Sequence, residues 1–258
     1  MITNKRVKEL VTLNQKSKAR KEEGVFLVEG SKMFLEAPNG RIREIYVSES
    51  FFATDECKEK MEKLGYETVS SEIFKKISDT MTPQGILCVV EREEKSFEDL
   101  FQKENPTVMV LEDLQDPGNL GTILRTGEGA GIDAVILTKG SVDIYNPKVI
   151  RSTMGSIYRV PFMYTDCIED VILKLKEKNI TVYAAHLKGE KYYDEFDYAG
   201  RGGCAFLIGN EGNGLKDETA ELADEYLKIP MEGSVESLNA AVASSILMYE
   251  AYRQKRLR

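Results

Sequence analysis

The sequence predicts an α/β protein of two domains, the second built on a parallel sheet. Three observations carry that expectation. After Pro106, short continuous apolar runs alternate with helical stretches, the pattern of a parallel sheet covered on both faces. Between Glu91 and Pro106 the charged stretch EREEKSFEDLFQKENP ends in Asn-Pro, a turn signal that separates two blocks. The chain has 258 residues, 42% hydrophobic and 30% charged, enough for one large or two smaller soluble domains that need no disulfide or metal staple.

The first block, residues 1–95, reads as a small α/β domain. Val7–Leu13 is helical, and Val25–Val28 and Ile42–Val47 are strands. Asp55–Leu64 is an amphipathic helix with Cys57, Met61 and Leu64 on one face, and Ile86–Val90 is a buried strand. Residues 96–105 are expected to be a linker, and the second domain spans 106–258. Its strands are predicted at Thr107–Leu111, Ala134–Thr138, Val160–Tyr164, Ile180–Ala185, Gly203–Ile208 and Tyr226–Ile229. Helices are predicted at Asn119–Gly131, Pro147–Met154, Ile168–Lys178, Asp217–Ala223 and Asn239–Arg256, the last with Val242, Ile246, Tyr249 and Tyr252 along one side.

Several classes are excluded. No run of apolar residues is long enough for a membrane span, and the lysine-rich start has no apolar core of a secretory signal. Cys57, Cys88, Cys167 and Cys204 are far apart and form no C-x-x-C, so a reducing, cytoplasmic location is expected and a cysteine zinc site is not. One histidine, His186, cannot build a His-rich metal centre, and without a G-x-S-x-G elbow it cannot serve a Ser-His-Asp hydrolase. It lies outside every motif and reads as structural. The net charge of −8 argues against nucleic acid. Its distribution argues the other way: residues 1–21 hold seven basic residues against the single acid Glu9, and Arg253, Lys255, Arg256 and Arg258 close the chain. Such local patches bind phosphates even on an acidic protein.

Ligands of parallel sheets bind beyond the carboxyl ends of the strands, which singles out three loops. In LEDLQDPGNLGTILRTGEGAG, Asp116-Pro117-Gly118 is a turn, Asn119 is placed to cap the following helix, and Arg125 lies within its first two turns. In FLIGNEGNGLKD, three glycines in six residues allow close backbone approach to a ligand. Leu215 stands where a P-loop needs Lys, and Asp217 where a dinucleotide fingerprint needs its third Gly. Both phosphate cradles fail, and Glu211 would repel a pyrophosphate. In IPMEGSVESLNAAVASSILMYEAYR, Ser237 and Asn239 immediately precede a long helix. One side of that helix is small (Ala240, Ala241, Ala243, Ser244, Ser245), so that another backbone can pack closely.

Together these loops resemble the three motifs of the SpoU (TrmH-like) RNA 2′-O-methyltransferases of the SPOUT superfamily: N-x5-R at Asn119–Arg125, strand-G-x-E-x-x-G at Ile208–Gly214, and I-P-M-x-G-S-x-x-S-L-N at Ile229–Asn239. RSTMGSIYRVP, Arg151–Pro161, is similar to the family's interior stretch. GVFLVEGSKMFLEA is similar to the L30e-like substrate-binding domain that precedes many of these enzymes. The resemblance implies a deep trefoil knot in the C-terminal domain and S-adenosylmethionine as cofactor. Its adenosine pocket would involve Gly209, Ile229 and Leu238, with Leu207 and Met231 nearby. The implied reaction is methyl transfer to a ribose 2′-hydroxyl, with no metal. Arg125 would sit at the hydroxyl, Asn119 and Glu211 would hold the site together, Glu211 by pairing with Arg125, and Ser237 and Asn239 would position the ribose or the methionine end. Arg151 would contact an RNA phosphate. A homodimer through the C-terminal domain is implied, and the small side of the last helix is compatible with one. Ribosomal RNA is expected ahead of transfer RNA, with the N-terminal domain and the arm 1–21 selecting the target. Competing readings are a catalytically weak RNA-binding or ribosome-assembly factor and a nucleotide-dependent oxidoreductase. The intact Asn119, Arg125, Glu211, Ser237 and Asn239 argue against the first, the missing fingerprint against the second.

Overall fold

A computed structural model describes residues 2–200, 202–235 and 237–258. In chain order the elements are α1 (Asn4–Gln15), α2 (Ser17–Glu23), β1 (Val25–Glu29), α3 (Ser31–Glu36), β2 (Ile42–Ser48), α4 (Asp55–Leu64), β3 (Glu67–Val69), α5 (Ser71–Ile77), β4 (Ile86–Glu91), β5 (Thr107–Leu111), α6 (Pro117–Ala130), β6 (Ala134–Thr138), α7 (Pro147–Thr153), β7 (Phe162–Thr165), α8 (Ile168–Glu177), β8 (Thr181–Ala185), β9 (Lys191–Tyr192), β10 (Cys204–Ile208), α9 (Asp217–Ala220), β11 (Glu225–Lys228) and α10 (Ala240–Arg256). They form two compact units, one of residues 1–93 and 143–158, the other of 94–142 and 159–258.

The first unit carries a four-stranded sheet in the order β1-β4-β2-β3, in which β4 runs antiparallel to both neighbours and β3 parallel to β2. Leu10 and Leu13 of α1, Phe74 and Ile77 of α5, and Val25, Leu27, Leu87 and Val89 of the sheet make its core. The helix α2 carries almost no apolar residue, which is why periodicity misses it. It is held by Arg20, only 3% exposed. The Arg20 guanidinium donates to Asp143 Oδ2 at 2.6 and 3.0 Å and to the carbonyls of Leu13 and Asn14 at 2.7 and 3.1 Å. Arg6 likewise donates to both oxygens of Glu44, at 2.7 and 3.1 Å, and to Glu9 at 3.0 Å. The N-terminal stretch is therefore not a free basic arm. It is two packed helices whose arginines hold the domain together.

The second unit carries a seven-stranded sheet in the order β7-β6-β5-β10-β8-β11-β9, every neighbouring pair parallel as expected. The strands β5 and β6 occupy the predicted residues because their side chains are buried almost throughout. The units differ from the expected division in two places. Residues 96–105 are not a bare linker: Phe97 and Leu100 are buried with Val108, Val182 and Leu175 in the core of the second unit. Residues 143–158, including α7, belong to the first unit, where Tyr145 packs on Phe26 with ring centroids 4.5 Å apart. From β5 the chain moves outward through β6 and β7, then returns to the other side at β8 and β10. That reversal opens a crevice at the carboxyl ends of β10 and its neighbours. Among the described residues no helix is long and apolar enough to cross a membrane, and no group of His, Cys, Asp or Glu could hold a metal ion.

Candidate functional site

The loop after β10 is closed by its own backbone. Asn210 and Gly214 exchange hydrogen bonds of 3.0 and 2.8 Å. At this closure a Cβ on Gly209 would lie 2.0 Å from Gly214 C and Leu215 N, so glycine is the only residue the turn accepts. Asn210 adds a second layer: its Oδ1 accepts from Gly212 N and Asn213 N at 2.9 and 3.2 Å, and its Nδ2 donates to the Asp113 carbonyl at 2.8 Å.

The loop after β5 is turned by Asp113, a non-glycine residue at φ 51°, whose carboxylate accepts from Lys216 Nζ at 2.7 Å and Thr138 Oγ1 at 2.8 Å. Those donors hold the Asp113 carboxyl below the usual carboxylate range. Next to it Glu112, 1% exposed, accepts Lys216 N–H at 2.8 Å and Thr219 Oγ1 at 2.6 Å. Two acidic residues at the end of β5 thus fasten the loop after β10.

Glu211 joins the two loops. Its Oε2 accepts Gln115 N–H at 3.0 Å, and its Oε1 accepts Asp116 N–H at 2.9 Å and Asn119 Nδ2 at 3.0 Å. Partial burial pushes the Glu211 carboxyl up, but these donors outweigh it and hold the group below its ordinary value. Asn119 Oδ1 in turn accepts Asn239 Nδ2 at 2.9 Å, and Asn239 Oδ1 caps α10 by accepting Ala241 N–H and Val242 N–H at 2.9 and 3.3 Å. The order of donors is forced. A carboxylate only accepts, so Asn119 must turn its amide NH2 to Glu211 and its oxygen to Asn239. Asn239 must then give its NH2 and keep its oxygen for the helix. One polarised relay ties all three sequence motifs together.

Asn119 is not the cap of α6, as its position suggested. Asp116 caps the helix, accepting Asn119 N–H at 2.7 Å, with Pro117 at the first turn. This leaves the Asn119 side chain, buried at 8% exposure, free for the relay. The expected Arg125–Glu211 pair is not formed either, because backbone and amide donors already occupy both Glu211 oxygens. Arg125 is exposed on α6 and makes no ion pair or side-chain hydrogen bond among the described residues.

A cavity of about 350 Å³ opens at the carboxyl ends of β8, β10 and β11, within the size range of small-ligand sites. Gly209, Glu211, Ile229, Met231, Ser237 and Leu238 line it, all expected site residues. Leu207 does not: it is fully buried in the sheet core with Val110 and Ala184. Asn119, Asn239 and Arg125 stand outside the lining. Sequence reasoning missed Ala185, Leu187 and His186, which form the wall at the end of β8. His186 is thus a wall residue; its Nδ1 accepts Lys188 N–H at 3.2 Å and its ring meets Tyr226 edge-on. The signal that could have found it is its place at the carboxyl end of a predicted strand. Arg151 lies in the first unit and pairs with Asp79 at 2.8 Å. The small face of α10 (Ala240, Ala241, Ser244) is buried within the unit, where α10 packs on α6. The exposed face is Val242, Tyr249 and Tyr252.

Fold and crevice define a two-unit α/β protein with a small-ligand site lined by glycine backbone, apolar side chains, the polar His186, Asn210, Asn213 and Ser237, and the opposite charges of Glu211 and Lys228, without a P-loop or dinucleotide fingerprint. Residues 106–249 match the model of the SpoU rRNA Methylase family, and residues 4–88 that of the MRM3-like substrate binding domain. The chain is 32% identical to the 23S rRNA (guanosine(2553)-2′-O)-methyltransferase RlmP of Bacillus subtilis, over 95% of each chain. Its fold superposes on the AdoMet-bound rRNA methyltransferase of Sinorhizobium meliloti with a TM-score of 0.86 at 29% identity, covering 98% of this chain and 96% of the other. It superposes on the SpoU methyltransferase AviRb of Streptomyces viridochromogenes, in complex with AdoMet, with a TM-score of 0.88 at 25% identity, covering 98% and 99%. The chain belongs to the SpoU rRNA methylase family.

Proposed function

We propose that this protein transfers a methyl group from S-adenosylmethionine to a ribose 2′-hydroxyl of ribosomal RNA. The observation that carries the reading is the relay Glu211–Asn119–Asn239, which joins three separated motifs beside one cavity in a chain 32% identical to a 23S rRNA (guanosine(2553)-2′-O)-methyltransferase. The cavity suits the cofactor. Its glycine backbone and its Ile229, Leu238 and Met231 side chains fit an adenosine, no phosphate needs to be held, and the Glu211 carboxylate complements a sulfonium. When bound, S-adenosylmethionine supplies an electrophilic methyl group.

The chain's own residues do the rest. Gly209 permits the close backbone approach that shapes the slot, and Ser237 and Leu238 present the third loop. Glu211, pinned by three donors, fixes the start of α6 and hence the helix that carries Arg125. A guanidinium offers five N–H donors and no acceptor, so the role of Arg125 is to stabilise the forming alkoxide rather than to take the proton. Asn119 and Asn239 act as positioning residues. The knotted threading of the C-terminal unit, a homodimer through the exposed α10 face and a cytoplasmic location belong to this reading.

Calorimetric titration with S-adenosylmethionine, paired with single-turnover methylation by Arg125→Ala, tests it. The variant should bind cofactor as wild type does and lose about 10²-fold or more in turnover. Retained turnover would remove Arg125 from the chemistry, and absent cofactor binding in the wild type would remove the function.

A further inference from the structure

Two large apolar side chains of the first unit stand almost completely in solvent: Phe52 at 96% and Met81 at 99%. Scattered exposed hydrophobic residues need no explanation, but these two sit on adjoining loops at one end of one sheet, and both loops are pinned. The loop after β2 is held by Ser48 N–H on the Gly85 carbonyl at 2.8 Å and by Phe51 N–H on the Ser48 carbonyl at 2.9 Å. The Phe51 ring lies so close to Gly85 that a Cβ there would be 2.9 Å from its Cδ2. Phe51 thus packs down and Phe52 points away. The loop before β4 is held by Glu29, which accepts Ser78 Oγ at 2.7 Å, Thr80 Oγ1 at 3.2 Å and Gln84 N–H at 2.7 Å. The chain is fastened on both sides of Met81.

Cations rim this pair. Arg151 reaches the same loop through Asp79 at 2.8 Å. Asn14 Nδ2 donates to the Ile77 carbonyl at 2.7 Å, which brings the α1–α2 corner, with the exposed Lys16 and Lys18, beside Ser78. Arg6 and Arg20 are used inside the domain, whereas Lys16 makes no ion pair among the described residues, and the pairs Lys18–Glu22 at 3.7 Å and Arg151–Asp79 at 2.8 Å stand at the surface, where a phosphate can exchange for the carboxylate.

We propose that Phe52 and Met81 form a stacking platform for unpaired nucleobases of the RNA substrate, with Lys16, Lys18 and Arg151 taking the flanking phosphates. This rests on the reading of the chain as an RNA-modifying protein and names the contact by which its first unit selects RNA. An aromatic face and a polarisable thioether suit the π-face of any base, neighbouring cations suit the backbone, and presentation on pinned loops lowers the ordering cost of binding.

The test is binding by the full chain to two probes, a 20-nucleotide single-stranded RNA of mixed sequence and the same sequence as a duplex, across a salt series. The double variant F52A/M81A, altered only at solvent-exposed side chains, should lose roughly ten-fold or more in affinity for the single strand. It should keep its salt slope, its duplex affinity and its cofactor binding, and Phe52→Trp in place of Phe52→Ala should restore the single-strand affinity. Lys16→Ala with Lys18→Ala should instead flatten the salt slope. Wild-type affinity in F52A/M81A, or equal losses on both probes, would overturn the platform and leave the methyltransferase reading standing. Unchanged RNA binding with lost binding to assembled ribosomal subunits would also overturn it, by assigning the patch to a protein contact. A wild-type chain that binds neither probe and methylates no RNA would remove both readings together.

Discussion

Asn119→Asp is the sharpest perturbation of the relay, because it changes one atom and almost no volume. The native amide donates to Glu211 Oε1 at 3.0 Å. The substitution removes that charge-assisted bond, worth about 1.5–3 kcal/mol, and sets a second carboxylate against the first. Two charges about 4 Å apart at an effective dielectric constant of about 20 repel by about 4 kcal/mol. The site has one escape: the new carboxyl takes up a proton and donates it to Glu211. At pH 7 that proton uptake lies about three pH units above the ordinary aspartate pKa and costs about 4 kcal/mol, which caps the damage. The expected deficit in the stability of the second unit at pH 7 is therefore about 3–4 kcal/mol. Its pH dependence is diagnostic. The new carboxyl has a folded pKa raised above its unfolded value, so the folded variant binds more protons than the unfolded one and gains stability as pH falls, by up to about 1.4 kcal/mol per unit. The deficit should shrink steadily from pH 7 to pH 5. Urea unfolding of wild type and variant at pH 7, 6 and 5, followed by a probe in the second unit, measures it. A deficit below about 1 kcal/mol, or one that does not change with pH, would refute the polarised relay.

Gly209→Ala should abolish cofactor binding while leaving the far-ultraviolet circular dichroism nearly unchanged, since its Cβ would sit 2.0 Å from the backbone that closes the loop; normal titration would show that the loop does not shape the site. Arg20→Met should destabilise the first unit by about 3 kcal/mol, because it leaves Asp143 and two buried carbonyls without their partner, and should leave the salt slope of RNA binding unchanged; a lowered slope would make Arg20 a phosphate contact. Removing residues 1–21 outright should unfold the first unit rather than simply weaken RNA binding, because Leu10 and Leu13 leave with them; a folded truncated chain in circular dichroism and proteolysis would contradict that. Glu112→Gln should cost the second unit about 1–3 kcal/mol, since one of its two buried donors, Lys216 N–H or Thr219 Oγ1, loses its acceptor; an unchanged unfolding midpoint would show that the Glu112 clasp carries no weight.

What the sequence reveals here is the part of the fold that local chemistry determines. The strands β5, β6 and β10 are legible because each is apolar at nearly every position, and α6 because a proline and a glycine bracket it. The short helices α2, α3 and α5 and the strand β3 are not, because three to seven residues give no period to read. Two of the three loops singled out line the cavity, and they were legible because glycine and asparagine cluster at Gly209–Gly214 and serine and asparagine at Ser234–Asn239, each just after a strand. The wiring of the site was not. That Asn119 caps nothing and instead bridges Glu211 and Asn239 depends on residues 92 and 120 positions away. The same holds for Arg20, whose partner Asp143 lies 123 positions on: charge counted along the chain reads as a solvated arm, whereas charge paired in space reads as a clasp. His186 was passed over because no motif contains it, although its strand end already faced the site.

The proposed reaction is methylation of a ribose in ribosomal RNA at the crevice lined by the second and third loops and the end of β8. The most direct measurement is methyl transfer from labelled S-adenosylmethionine to ribosomal RNA from cells that lack the protein, followed by digestion to nucleosides. Wild type is expected to place label on a 2′-O-methylribose, and Arg125→Ala to do so at a rate lower by about 10²-fold or more. Label on a base would contradict the acceptor, and no label on any fraction of the RNA, with cofactor bound, would make the chain a binding protein that keeps the fold without the reaction.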